Sequence, residues 1–576
     1  MKSFLVAFLG ALLAVIVLVM LVGGIGAYMA GRQPAIEDRS WLMVEMYGDL
    51  LEYDPPGGIM SQLGGDDVET LQRILGNLEK AAVDDRIEGV IFKVAAGNSV
   101  GTAMVQEIRG AIRRVQDADK KVLGWAESFD RQDYLLLAAC DEVLAPPSAY
   151  IGFTGFSSET LHVKRAFDKL GIKPNIHKIK DYKSAAETVI REDMSEPARE
   201  MRTWIMDEMW DTLLETLAAD RGIGEEKIVE LMQHAYFTAE EALNSGLIDR
   251  MAYWDELETE LKGADDDALR SVSQERYAKV PRSELDLDGD RKIAIIHAQG
   301  TILGRRNDVN PLLGLLMGHE TIIAELRRAR LDEDVAAIVF RVDSRGGDAL
   351  SSDLMGHEVE ITVGVKPVVA SMVDVAASGG YHISYRASRI VADPMTITGS
   401  IGSISGKFNV KDFYDKLGIT FDHVERGPMA TIDSDVQDFT PEERARFEEN
   451  HWTGFNDWLR DVAEHRDMSF EEAEKLAHGR VWTGRQAVAN GLVDEIGDLK
   501  HAIGLARQLA EIPADEQVTV EHFPKQKGLL QSLMGGDSAA ATAAHWIVYR
   551  AIRDDVAETL DFFMQHPDLA MQAIED

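Results

Sequence analysis

The chain is two copies of one unit laid end to end, and this repetition constrains its fold more than any other feature. Residues 89–94 (GVIFKV) match residues 337–342 (AIVFRV) at an offset of 248. Farther on the offset is 247. Tyr134 matches Tyr381, residues 143–147 (VLAPP) match 390–394 (IVADP), and Gly152 and Gly155 match Gly399 and Gly402. Residues 238–249 match 483–494 at an offset of 245. Near-constant offsets over separated segments do not arise by chance, so one architecture must serve both halves.

Within each copy, apolar runs alternate with stretches of helical spacing. Residues 41–46 and 87–94 read as strands, as do 292–296 and 336–342. Between them, Leu71, Ile74, Leu75 and Leu78 fall on one helical face, and a second helix is expected over 321–331. The β-α-β order predicts an α/β fold with helices packed on a sheet. The first repeat is placed at 40–261 and the second at 292–510. Residues 262–291, rich in Asp, Ser, Arg and Lys with Pro281 and Gly289, read as a linker. Residues 511–576 form a tail in which Val548, Ile552, Val556 and Leu560 have the spacing of an amphipathic helix.

No charged residue interrupts the chain between Lys2 and Arg32, and that apolar run is long enough to span a bilayer as one helix. Residues 1–32 are read as a retained anchor, since a cleaved signal peptide usually has a shorter apolar core; Gly26, Ala27 and Ala30 leave cleavage open. No second spanning run is visible, so the remainder lies on one side of the membrane. The chain carries 98 acidic against 60 basic residues, a net charge of −38. Such a surface repels phosphates, which excludes a nucleic-acid role. Cys140 is the single cysteine, which excludes an intramolecular disulfide and a cysteine-rich metal site. Within its apolar run it reads as a core residue. Gly57-Gly58 and Gly64-Gly65 lack the lysine-threonine continuation of a phosphate loop. No metal or cofactor is expected.

The copies differ where chemistry is expected. In the second, Ser378 sits in residues 374–380 (DVAASGG) after an apolar strand. Small residues on both sides allow the sharp strand-to-helix turn on which a nucleophilic serine is presented. The same heptapeptide also fits a plain packing turn with a serine helix cap. The first copy has Arg131 at this position, and Asn98-Ser99 where the second has Gly346-Gly347. Conversely, the first copy carries Lys183 in residues 180–187 (KDYKSAAE), whereas the second has residues 424–431 (VERGPMAT) and no lysine between Lys416 and Lys475. One half keeps a serine and the other a lysine, which points to one composite site. A lysine activates a serine only when neutral, and burial lowers its pKa toward that state. From its local sequence alone, Lys183 reads better as an exposed lysine beside a helix start.

With DYKSAAE, AASGGY, TGSIG at 398–402 and the Gly346-Gly347 turn in place, the chain resembles the long, double-length form of signal peptide peptidase A, of peptidase family S49. The match runs from the anchor to about residue 510. This resemblance implies a tandem duplication of the Clp protease/crotonase-like fold, a β-α superhelical domain, behind one transmembrane helix. It implies a membrane-anchored serine endopeptidase with Ser378 as nucleophile, Lys183 as general base and Ser400 orienting the lysine. The backbone amides of Gly347 and Gly379 would form the oxyanion hole. It also implies extended apolar peptides, such as cleaved signal peptides, as substrates. The expected place is the bacterial inner membrane, single-pass, with the catalytic part periplasmic, as a homo-oligomer, tetrameric in the long form. The turn reads Ser344-Arg345-Gly346-Gly347 where this fold usually has SPGG, which bears on the cleft entrance. Soluble relatives of the fold use a Ser-His-Asp triad. For that reading His382 and His423 are the candidate bases, with Asp393 or Asp433 as partners. His382, one helical turn after Ser378, reads as a core residue, and His423 follows a strand-like segment. The acyl-CoA-handling crotonase branch needs no such serine-lysine pair. A membrane-anchored binding protein with a dead site would have no need of the intact set.

Overall fold

The computed structural model describes residues 36–53, 69–95, 97–98, 100–264, 266–310 and 313–525. The expected anchor over 1–32 and the amphipathic helix over 546–563 lie outside these. Among the described residues no helix is long and apolar enough to cross a membrane.

Each repeat builds a mostly parallel sheet. In the first, the strand order is Arg250–Met251, Glu142–Ala145, Lys121–Ala126, Ile87–Val94, Ser40–Met46 and Ser271–Ser273, every pair parallel. Alternate residues point to opposite faces. Leu42, Val44, Val90 and Phe92 enter one apolar cluster, beneath helices Leu71–Val83 and Thr102–Gln116. Trp41, Met43, Ile91 and Leu123 enter another, which includes Leu257 of helix Trp254–Leu261. Burial on both faces explains why these strands read as continuous apolar runs. Cys140 is buried in the first of these clusters.

The second sheet runs Val518–Phe523, Arg291–Gln299, Val335–Ser344, Val368–Ala377, Ile397–Gly399 and Val481–Thr483. Strand Val368–Ala377 changes partner midway. Its residues Val369 to Met372 pair with Arg389–Ala392, and Val375 to Ala377 pair with Ile397–Gly399. The divergence brings the end of the strand, and Ser378 after it, beside residues 397–400.

Two boundaries differ from the sequence reading. The stretch 262–291 is more than a linker: Ser271–Ser273 extends the first sheet beside Ser40–Met46, and helix Gln274–Tyr277 follows it. Past residue 510, Val518–Phe523 extends the second sheet beside Arg291–Gln299 in the same way. Each unit thus closes with one more edge strand. Those strands, SVS and VTVEHF, are too short or too polar to stand out as buried runs.

The halves are joined through polar and backbone contacts. Strand Lys173–Lys178 of the first unit lies antiparallel on Ile404–Asn409 of the second. The fully buried Arg341 of the second unit pairs with Glu52 and Glu107 of the first, both at 2.7 Å, and its Nη1 donates to Ser371 Oγ. Asp374, four residues before Ser378, accepts from the Ala103 amide at 2.8 Å at the start of helix Thr102–Gln116. A carboxylate from one unit thereby caps a helix of the other. A Cβ at Gly101 would lie 1.6 Å from this carboxylate, so a larger residue there would have to displace the Asp374 side chain.

Candidate active site

Ser378 occupies the turn between strand Val368–Ala377 and the short helix Gly379–His382, at φ 57 and ψ −114. A non-glycine residue at positive φ is strained, and such strain gathers where a side chain must be presented. Small neighbours make the turn feasible. A Cβ on Gly380 would fall 2.4 Å from the Ser344 carbonyl oxygen, and one on Gly346 would fall 2.4 Å from the Gly379 nitrogen. The Ser378 amide donates to the Gly399 carbonyl at 2.9 Å, tying the turn to residues 397–400.

Lys183 arrives from the other repeat. Strand Lys173–Lys178 carries the chain across, and the Ile179 amide donates to the Ser403 carbonyl at 2.9 Å. The Tyr182 amide then donates to the His478 carbonyl at 3.1 Å. Lys183 Nζ lies 2.9 Å from Ser378 Oγ, 2.9 Å from Ser400 Oγ and 3.0 Å from the Ser400 carbonyl. Only 7% of Lys183 is exposed, and burial lowers its pKa to about 7. Near neutrality a large fraction of it is unprotonated and able to accept a proton. Ser400 also sits at positive φ, 52, and its amide donates to the Arg480 carbonyl at 2.8 Å.

The turn at residues 344–348 faces this group. Gly346 and Gly347 have φ of 90 and 155. The Ile302 amide donates to the Gly346 carbonyl at 3.0 Å, and the Asp348 amide donates to the Ile302 carbonyl at 2.8 Å. A Cβ on Gly347 would meet that Ile302 carbonyl at 2.1 Å. Among the described residues, neither the Gly347 nor the Gly379 amide donates to another backbone group, since Gly379 opens its helix. Free amides flanking a serine can stabilise a developing oxyanion.

The other candidates stand elsewhere. His382 is buried and stacks on Trp458 at 4.9 Å, as a core residue does. His423 is exposed and engages Glu425 at 3.1 Å and Gln437 at 3.0 Å. It follows residues that form no strand within the chain. Asp393 is buried, and burial raises its pKa well above the usual carboxylate range. In the first unit, Arg131 opens helix Arg131–Leu137 behind the Asp130 cap and lies over the Phe156 ring at 4.2 Å.

Sequence reasoning missed the chain that braces the lysine segment. His177 Nδ1 lies 2.8 Å from His451 Nδ1, and His451 Nε2 lies 2.7 Å from Ser403 Oγ. It links the lysine-bearing strand, helix Pro441–His465 and the segment after Ser400. No spacing rule joins residues so far apart in sequence.

Comparison with known proteins gives the family. The model of peptidase family S49 matches twice, over residues 114–266 and 362–513. A chloroplastic serine protease SPPA of Arabidopsis thaliana is 34% identical over 473 residues, covering 81% of this chain and 70% of that one. Protease 4 of Salmonella typhi is 30% identical over 548 residues, covering 90% and 86%. Protease 4 of Haemophilus influenzae is 31% identical, covering 80% and 77%. The chain therefore belongs to peptidase family S49, as a serine peptidase of the long, double-length form carrying two family domains.

Proposed function

We propose that the chain is a membrane-anchored endopeptidase with a composite Ser-Lys site. Ser378 Oγ attacks a peptide carbonyl carbon while neutral Lys183 takes its proton. The amides of Gly347 and Gly379 hold the oxyanion, and Ser400 keeps the lysine aimed. The Lys183 ammonium then gives its proton to the leaving amine, and an ester on Ser378 remains. Lys183 next draws a proton from water, whose oxygen attacks the ester carbonyl; the bond to Ser378 Oγ breaks and the lysine ammonium returns its proton to that oxygen. The observation that carries this reading is the 2.9 Å approach of Lys183 Nζ to Ser378 Oγ, with the lysine buried.

Extended apolar peptides, such as remnants of signal peptides, are the proposed substrates, and such a chain would pair with strand edges beside Ser378. Each unit is read as a Clp protease/crotonase-like domain, a reading supported by its parallel sheet and projecting arm. Residues 1–32 would anchor the protein in the bacterial inner membrane with the catalytic part periplasmic. The test is hydrolysis of matched fluorogenic peptides, apolar and polar, by the full-length protein in detergent. Faster cleavage of the apolar peptide, abolished by Ser378→Ala, supports the reading. Equal rates, or activity that survives Ser378→Ala, would refute it.

A further inference from the structure

Two ties join the lysine-bearing segment to residues 400–403. Lys183 Nζ reaches the hydroxyl and the carbonyl of Ser400. Four residues before Lys183, the Ile179 amide donates to the Ser403 carbonyl at 2.9 Å. Ser403 Oγ lies 2.7 Å from His451 Nε2, and His451 Nδ1 lies 2.8 Å from Nδ1 of His177, two residues before Ile179. The contacts close a circuit from His177 through His451, Ser403 and Ile179 back to His177. Strand Lys173–Lys178, helix Pro441–His465 and the residues entering strand Ile404–Asn409 all contribute, and Ser405 of that strand pairs with His177.

One proton in each gap satisfies both imidazoles, whichever way the hydrogen bonds run, whereas charging both would set two N–H donors face to face. Burial lowers the pKa of both, that of His451 to about 4, while Glu448 and Arg444 of the helix act on His177 in opposite directions. The other half of the chain lacks this circuit. The offset of 247 carries His177 onto Val424 and Ser403 onto Phe156. The caps Ser195 and Thr440 align the two long helices at an offset of 245, which carries His451 onto Met206. Three apolar side chains stand in its place, so the duplicated fold does not require it. It accompanies the serine-lysine pair.

Close packing carries position from the circuit to the lysine. The Gly479 amide donates to the Ile401 carbonyl at 2.8 Å, and a Cβ on Gly402 would fall 2.6 Å from the Gly479 Cα. On its other side Gly479 touches the Lys183 backbone. Residues 179–183, 400–403 and 478–480 are thus one stack in which no segment shifts alone. We propose that His177, His451 and Ser403 are positioning residues for the reaction: through this stack they keep Lys183 buried and aimed at Ser378. The proposal rests on Lys183 as the general base. Charged groups stand around the arm: Lys180, Asp181 and Glu187 on its own segment, His478 and Arg480 on the segment packed against it, and Glu200, which accepts from Tyr182. Burial alone lowers the Lys183 pKa. A loosened arm admits water, and that pKa climbs from about 7 toward 10.5.

The test is the pH profile of kcat/KM for the full-length protein in detergent, from about pH 6 to about pH 10, with a fluorogenic peptide that the parent cleaves. Ser403→Ala and His177→Leu should move the midpoint up by about one unit or more and lower kcat/KM near neutrality about 10-fold, through kcat rather than KM. Ser403→Thr and His177→Asn, which keep a hydroxyl and a polar atom near the Nδ1 position, should return most of the parent profile. Ser403→Ala deletes a single oxygen, so it carries the test should His177→Leu fail to fold. A parent midpoint in Ser403→Ala overturns the proposal, whatever its rate or melting temperature, and leaves Lys183 as the base. An active Lys183→Met would overturn the general-base reading, and this proposal with it.

Discussion

Gly479 of the second repeat lies flat against the backbone of Lys183 of the first. A Cβ built on it would fall 2.5 Å from the Lys183 nitrogen, Cα and Cβ, and its φ is 84. The site therefore depends on a glycine that performs no chemistry. Gly479→Ala should push the lysine away from Ser378 and lower kcat by about 100-fold, because small misplacements of a catalytic group are costly. Kinetics beside a melting curve check this: kcat should collapse while the fold persists.

The lowered pKa of Lys183 sets the pH profile. The base works when neutral, so kcat/KM should rise with pH, pass its midpoint near about 7, and level off above. Lys183→Arg should remove activity across that range, by roughly 1,000-fold or more, since a guanidinium stays charged. A profile with its midpoint near 10, or an active arginine variant, would show that the lysine is not the base.

Ser400 offers Lys183 both its hydroxyl and its carbonyl. Ser400→Ala removes only the hydroxyl, so a drop of about 10- to 100-fold in kcat is expected with KM little changed. Ser400→Thr, which keeps the hydroxyl, should recover part of it. Steady-state kinetics of the two variants side by side make the comparison.

The joint between the repeats rests on Arg341. Arg341→Met would leave Glu52 and Glu107 buried together without a cation, at a cost of roughly 3–5 kcal/mol. Denaturant unfolding measures it. Glu107 is different, because burial raises its pKa to about 7. A carboxyl raised in the native state stabilises it most below its ordinary value of 4.5, and that contribution is lost as pH rises through about 7. Glu107→Gln should therefore flatten the decline of stability between about pH 5 and pH 8.

The repeat, the α/β class and the composite pairing of Ser378 with Lys183 were legible because each leaves a local mark. Strands buried on both faces appear as apolar runs, and a serine among glycines marks a turn. The edge strands Ser271–Ser273 and Val518–Phe523 were hidden, since half-exposed short strands carry little hydrophobic signal. Gly479, Gly101 and the His177–His451–Ser403 chain were hidden for another reason. Their roles come from contacts between segments hundreds of residues apart, and nothing in their own surroundings announces the partner. His423 shows the reverse: its strand-like approach is real in pattern but forms no strand among the described residues.

Activation of Ser378 by a lysine from the other repeat has a direct chemical readout. Labelling with a serine-directed fluorophosphonate at pH 8, read by mass spectrometry of the digested protein, tests it most directly. One adduct is expected, on Ser378, formed about 100-fold or more slowly in folded Lys183→Met. An adduct on another serine, or a Lys183→Met variant labelled at the parent's rate, would contradict it.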